Sequence, residues 1–288
     1  MIRSLLFVPC DSERKLAKCP SVGADAIVLD LEDSVLPDRK PLAREMMKEF
    51  LAQAGTREQY WVRINDLTSG ELLKDLPAVV AAKPRGIIFP KLRGPEDLDL
   101  MRNYLDALEA ANDYEEDEQL AIAALVTETP NALLRLGEII RQPQPRVTAL
   151  MWGGEDLSSA LGAGDPRAPD GSWRPTYEYA RTQAILASHA LGVEAIDTVY
   201  VDFRNPEGLR ASCQASRYDG FTGRVAIHPD QVAIINDAFT PSAEELDMAR
   251  RIVEAFKDGQ GAVSIDGKMF DIPHLNAARR LLGDNQPN

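Results

Sequence analysis

The chain is predicted to fold as an α/β protein, a (β/α)8 TIM barrel with a C-terminal helical arm. Three observations predict it. Short β-branched apolar runs recur along the chain, stretches with helical spacing separate most of them, and polar residues gather just after the runs. The runs occupy residues 4–8, 26–31, 61–64, 86–90, 121–127, 147–151, 198–202 and 223–227. Strict β–α alternation calls for a parallel sheet, and eight units close most simply into a barrel.

Among the intervening segments, 40–53, 95–110, 131–141 and 177–191 carry apolar residues at helical spacing. Residues 112–119 are polar and 164–173 are rich in Pro and Gly, so both read as surface loops. Residues 1–240 are assigned to the barrel. From 241 to 288 the chain forms an arm, with a charged amphipathic helix at 242–257, a turn-prone link at Asp258-Gly259-Gln260-Gly261, and a tail at 262–282. That arm either caps the barrel or packs on a neighbouring subunit.

At 288 residues and 44% hydrophobic, the chain can bury one large core. No apolar run approaches the roughly 18 residues that a membrane-spanning helix needs, and the opening segment reads as a strand rather than a signal peptide. Cys10, Cys19 and Cys213 have neither CxxC spacing nor an even count, which fits a reducing cytoplasm. A net charge of −13 repels a phosphate backbone, so nucleic acid is not an expected partner. Locally, Arg14, Lys15 and Lys18 offer phosphates a basic cluster against that overall sign.

Barrel active sites lie at the carboxyl ends of the strands. The second run ends in Asp30-Leu31-Glu32-Asp33, the third in Arg63-Ile64-Asn65, the fourth in Pro90-Lys91, the fifth in Thr127-Glu128-Thr129 and the sixth in Trp152-Gly153-Gly154-Glu155-Asp156. Glu128 and Asp156 close adjacent strands, and two hard carboxylates suit Mg2+, which leaves its other positions to water and substrate. The alternative is that both cap helices or pair with arginines. Glu32 and Asp33 either accept hydrogen bonds from metal-bound water or serve as turn and cap residues. Arg63 at the mouth calls for an anion, either a substrate or, in a purely structural role, Glu32 or Asp33. Gly153 and Gly154 expose backbone N–H groups suited to a carboxylate. His228, before Pro229, reads as a buried, hydrogen-bonded structural histidine. His189 and His274 receive no role, and the cysteines read as packing residues.

These motifs resemble a known family. Phe7-Val8-Pro9-Cys10-Asp11-Ser12-Glu13-Arg14, Gly23-Ala24-Asp25-Ala26, Leu29-Asp30-Leu31-Glu32-Asp33-Ser34-Val35, Val62-Arg63-Ile64-Asn65, Glu128-Thr129-Pro130, Gly153-Gly154-Glu155-Asp156-Leu157 and Ile227-His228-Pro229 resemble the citrate lyase β-subunit-like and malyl-CoA lyase group of the HpcH/HpaI aldolase superfamily. The tail Asp266-Gly267-Lys268-Met269-Phe270-Asp271-Ile272-Pro273 resembles that family's C-terminal motif, so the likeness runs nearly end to end. Cys10 stands where the family usually has glycine, and Arg224 where a lysine is common.

The resemblance implies Mg2+, or Mn2+ in its place, held by Glu128 and Asp156, with substrate also bound by Gly153, Gly154 and Glu155. It implies that Arg63 polarises a thioester-derived enolate, that Glu32 and Asp33 assist, and that Asp271 from a neighbouring subunit is the general acid/base, with Asp266 as second choice. Coenzyme A contacts fall on Phe7, Arg14, Lys18, Ile227 and His228, and a homotrimer or hexamer is expected. The implied activity is carbon–carbon cleavage of a malyl-CoA, citramalyl-CoA or citryl-type thioester, carried on coenzyme A or a carrier protein. Two alternatives stay open, a pyruvate-forming metal-dependent aldolase without coenzyme A and a catalytically silent thioester-binding subunit.

Overall fold

The computed structural model describes residues 2–257 and 259–283. Asp258 of the expected link and residues 284–288 of the expected arm lie outside the described residues. The chain divides into two compact units, Met1–Phe239 and Thr240–Asn288.

The first unit is a closed barrel whose parallel strands run in sequence order, with β8 pairing back to β1. The strands are β1 (Ser4–Pro9), β2 (Ala26–Asp30), β3 (Tyr60–Arg63), β4 (Gly86–Phe89), β5 (Ala121–Leu125), β6 (Val147–Met151), β7 (Glu194–Asp197) and β8 (Gly223–Ala226). The helices are α1 (Glu13–Lys18), α2 (Lys40–Gln53), α3 (Leu72–Ala82), α4 (Pro95–Ala110), α5 (Pro130–Leu134), α6 (Leu136–Ile139), α7 (Gly154–Ala160), α8 (Pro175–Leu191), α9 (Pro206–Asp219) and α10 (Pro229–Phe239). Proline in the first turn opens α2, α4, α5, α8 and α9, where its missing N–H costs nothing. The predicted barrel is borne out.

Side chains alternate across each strand, so every second residue faces the interior. Leu5, Ala26, Val28, Trp61, Ile88, Ala123, Leu125, Met151, Ile196 and Val225 belong to one buried cluster, while Leu6, Ile27, Leu29, Val62, Ile87 and Leu150 pack with the helices. Gly86 is required by this interior, because a Cβ there would lie 2.4 Å from the Ala121 carbonyl oxygen and 2.7 Å from the Trp61 ring. One more alternating step carries the inward face past its apolar layer to Phe7, Asp30 and Arg63. The site begins there.

Three expectations about elements are corrected. The seventh strand is Glu194–Asp197, before the predicted run at 198–202. That run's polar backbone is satisfied by side chains instead of a ladder: Thr198 N–H donates to Asp197, Thr198 O accepts from Arg224, and Tyr200 O accepts from Gln231. The predicted helix at 131–141 is two short helices, α5 and α6, broken at Arg135.

The third correction concerns the arm. In the second unit, α11 (Ala243–Ala255) and α12 (Ile272–Leu281) enclose an antiparallel hairpin of β9 (Ala262–Ile265) and β10 (Lys268–Asp271), so the arm is not wholly helical. Asp266 and Gly267 turn the hairpin with φ of 50° and 76°, the left-handed pair that a tight two-residue turn demands. Ala249, Ile252, Phe256, Leu275 and Ala278 form this unit's own small core. Among the described residues no helix is long and apolar enough to cross a membrane.

Candidate active site at the barrel mouth

Strand register builds the first part of the site. Asp30 and Arg63 are Cα partners on β2 and β3, both facing inward. Arg63 Nε and Nη2 each donate to an Asp30 carboxylate oxygen at 2.7 Å, and Nη1 lies 2.9 Å from Glu32 Oε2. Its guanidinium carbon stands 4.8 Å from the centre of the Phe7 ring. Burial pushes the Asp30 carboxyl up, but the Arg63 charge and hydrogen bonds outweigh that and hold it below its ordinary value. Burial likewise disfavours the Arg63 cation, and Asp30 more than offsets it. The expected ion pair thus involves Glu32 but not Asp33, and its main partner is Asp30, to which the sequence reading gave no role.

The second part is a group of carboxylates around Lys91. Its Nζ lies 2.7 Å from Glu32 Oε1, 3.1 Å from Asp33 Oδ2 and 3.8 Å from Asp156 Oδ1. Its backbone N–H donates to Glu128 Oε2 at 2.7 Å. Burial pushes Glu32 up to about 7, against the pull of Arg63 and Lys91. Glu128 is driven well above the carboxylate range by burial and by the charges of Asp156 and Glu32. Lys91 was also unassigned in the sequence, which gave only its place after Pro90.

Glu128 and Asp156 line one cleft together with Asp30, Arg63, Trp152, Gly153 and Glu155. Burial and Asp165 raise the Glu155 carboxyl. A Cβ on Gly153 would lie 2.8 Å from Glu128 Cγ, so the glycine makes room for that side chain. The Gly153 N–H is already donated to Thr127 Oγ1 at 3.1 Å, which corrects its expected role as a carboxylate donor. Trp152, on the cleft wall, is fixed by a 2.7 Å hydrogen bond from Nε1 to Asp197. Asp197 in turn receives the buried Arg224 at 3.2 Å.

Whether Mg2+ fits can be judged from the donor set. Asp30, Glu32, Asp33, Glu128 and Asp156 are gathered around Arg63 and Lys91, and Glu155 and Lys15 line the same cleft, so carboxylates outnumber cations at this mouth. Burial and its acidic neighbours disfavour the charged form of Glu128, and a divalent cation beside it would favour that form. No group of three or more His, Cys, Asp or Glu able to hold a metal is found among the described residues. A pair of carboxylates with room for water matches the hard, partly hydrated coordination of Mg2+. The residues fit.

A second cleft is lined by Phe7, Arg14, Lys15, Lys18, Ile227 and His228. It shares Phe7, Pro9, Lys15 and Ile227 with the first, so the two adjoin along these residues. All five residues expected to contact coenzyme A line it. His228 is not the buried histidine expected from its strand-end position: its side chain is 39% exposed and stacks on Phe203 at 4.9 Å. Cys10, Cys19 and Cys213 are buried and free, in keeping with packing roles.

Asp271 belongs to the second unit, where it caps α12 and pairs with the His274 ring, which holds its carboxyl low. His274 therefore has a partner that its sequence context had not suggested. The second choice, Asp266, pairs with Arg251 at 2.8 Å.

The profile of the HpcH/HpaI aldolase/citrate lyase family matches residues 3–229. The chain belongs to that family. A mitochondrial citramalyl-CoA lyase from Mus musculus is 33% identical, with 97% of this chain and 85% of the relative aligned. A (3S)-malyl-CoA thioesterase from Cereibacter sphaeroides is 34% identical over 97% of this chain and 93% of the relative. A crystal structure of CitE from Mycobacterium tuberculosis with magnesium, acetoacetate and coenzyme A superposes with a TM-score of 0.82 at 30% identity, covering 98% of this chain and 97% of that one. The resemblance drawn from the motifs is borne out. As a member of the HpcH/HpaI aldolase/citrate lyase family the chain is an enzyme of the lyase class.

Proposed function

We propose that this family member is a Mg2+-dependent lyase that cleaves a 3-hydroxy-3-carboxyacyl thioester of malyl-CoA, citramalyl-CoA or citryl type into an acetyl thioester and a 2-keto acid. One observation carries the reading: the cleft holding Arg63, Glu128 and Asp156 adjoins the cleft lined by Phe7, Arg14, Lys18, Ile227 and His228, with Phe7, Pro9, Lys15 and Ile227 common to both. A long thioester can lie along the second and present its acyl end to the first. CitE binds magnesium and coenzyme A in the same fold, which supports both groups here.

Glu128 and Asp156 would hold Mg2+, whose Lewis acidity lowers the pKa of the substrate hydroxyl. Asp271 of a neighbouring copy accepts the hydroxyl proton. The bond between the hydroxyl-bearing carbon and the thioester α-carbon breaks, its electron pair passes to the α-carbon as an enolate, and a proton then completes the acetyl group. Arg63, kept charged by Asp30, donates hydrogen bonds to the enolate oxygen. Glu32 and Asp33 place Arg63 and Lys91, and Gly153 clears space for Glu128. Glu155 lines the substrate end.

The test is a mass-spectrometric screen of malyl-CoA, citramalyl-CoA, hydroxymethylglutaryl-CoA and citryl thioesters with and without Mg2+. An acetyl thioester plus a 2-keto acid is expected from at least one, and E128A should abolish it. The Cereibacter relative favours a second reading, thioester hydrolysis, which releases free coenzyme A and a hydroxy acid. Protection from heating by pyruvate alone, with none by coenzyme A, would instead point to an aldolase without the thioester. Mixing inactive R63A and D271A chains should restore partial activity if the tail acts across a subunit boundary; no recovery from a mixed oligomer would reject that role.

A further inference from the structure

We infer that Lys91 is a positioning residue that competes with the divalent ion for Asp156 and so sets the affinity of the metal site. The inference rests on the proposed assignment of Glu128 and Asp156 as metal ligands. Two independent observations point to it. The first is backbone geometry: Lys91 sits two residues past the end of β4 with φ of 52°, in the left-handed region that glycine enters freely and a residue with a side chain enters under strain. That turn aims its N–H at Glu128, which glycine would do as well. With a lysine at that position, the same turn brings an ammonium to the carboxylates of the mouth.

The second observation is where the side chain goes. Nζ makes close ion pairs with Glu32 and Asp33 and reaches within 3.8 Å of Asp156 Oδ1. A cation beside a metal ligand lowers that ligand's attraction for the metal. In exchange it keeps the carboxylates from repelling one another when the site holds no ion. Arg63 grips Glu32 from the other side at 2.9 Å, so the group stays assembled without the lysine. Loss of the ammonium should therefore tighten metal binding, whereas loss of a merely structural contact would weaken it.

Mg2+ affinity is measured on the full chain by calorimetry and by fluorescence of the tryptophans, Trp152 lining the cleft. K91M should bind Mg2+ about tenfold more tightly than wild type, the scale on which one neighbouring charge shifts a charged group's equilibrium. K91R, which keeps the charge, should stay within about twofold of wild type. K91G relieves the backbone as well, and should tighten binding like K91M, so it carries the test if K91M fails to fold. Unchanged or weaker binding in folded K91M or K91G overturns the inference while wild-type binding stands. If wild type binds no Mg2+ and E128Q is indistinguishable from it, the metal assignment itself falls and takes the inference with it.

Discussion

Asp30→Asn is the sharpest probe of the mouth, because it changes one charge with almost no change in shape. Asp30 is buried, Arg63 is 13% exposed at the side chain, and two 2.7 Å hydrogen bonds join them. An amide at position 30 offers one acceptor where the carboxylate offered two, and turns its NH2 toward a guanidinium that can only donate. Breaking a buried pair by removing one partner costs roughly 3–5 kcal/mol. Arg63 keeps Glu32 at 2.9 Å, so the lower end, about 3 kcal/mol, is expected. For a unit of this size that corresponds to a fall in melting temperature of roughly 6–12 °C.

The pH dependence has a fixed sign. The native carboxyl of Asp30 lies below its ordinary value, so its stabilisation is present above the unfolded pKa and is lost as pH falls through the native one, in the acid range below about 4. Urea denaturation of both proteins at pH 7 and at successively lower pH measures both quantities. The difference between wild type and variant should be full at pH 7 and shrink toward acid. Turnover should drop about 100-fold, because the freed guanidinium swings toward Glu32 and away from the enolate position. A stability loss under about 1 kcal/mol at pH 7 would refute the argument, since it would place the pair in the range of exposed salt bridges.

Two further substitutions test other links. Burial lifts Glu32 to about 7, so the native state holds a proton that the unfolded state has released above its ordinary pKa, and stability falls as pH rises through that window. In metal-free buffer the wild-type melting temperature should therefore fall more between pH 5 and pH 7.5 than that of Glu32→Gln; parallel curves would show that Glu32 does not titrate there. Gly86→Ala forces a methyl against the Ala121 carbonyl and the Trp61 ring and should cost about 2–3 kcal/mol by chemical denaturation. A neutral result would mean that the barrel interior yields at that point.

The barrel was legible because its signal is redundant. Eight runs must alternate with helices, and misplacing one strand leaves the topology intact. The seventh shows how a strand is misplaced. Glu194-Ala195-Ile196-Asp197 offers only two apolar residues between acids, while the adjacent Thr198-Val199-Tyr200-Val201-Asp202 has far stronger β propensity. Registry decided the matter: Ala195 pairs with Leu150 and Asp197 with Arg224, and the stronger run goes on to line the cleft with Thr198 and Val199. The hairpin of the second unit was legible in principle, since Asp-Gly between short alternating runs is a strong turn signal.

The site divides along the same line. Its acids and its arginine were visible as strand-end residues, but which acid meets Arg63 is a question of strand parity that composition does not pose. Val28 and Trp61 face inward, so the next inward positions are Asp30 and Arg63, which are register partners, whereas Asp33 lies beyond the strand and turns to Lys91. Lys91 was hidden for a different reason. Nothing in Pro90-Lys91 announces a left-handed residue, and only that turn brings its N–H to Glu128 while its ammonium reaches Glu32, Asp33 and Asp156. What the sequence lacks at this mouth is therefore the sharing of charge: Arg63 takes Asp30 and Glu32, while Lys91 takes Glu32 and Asp33 and approaches Asp156.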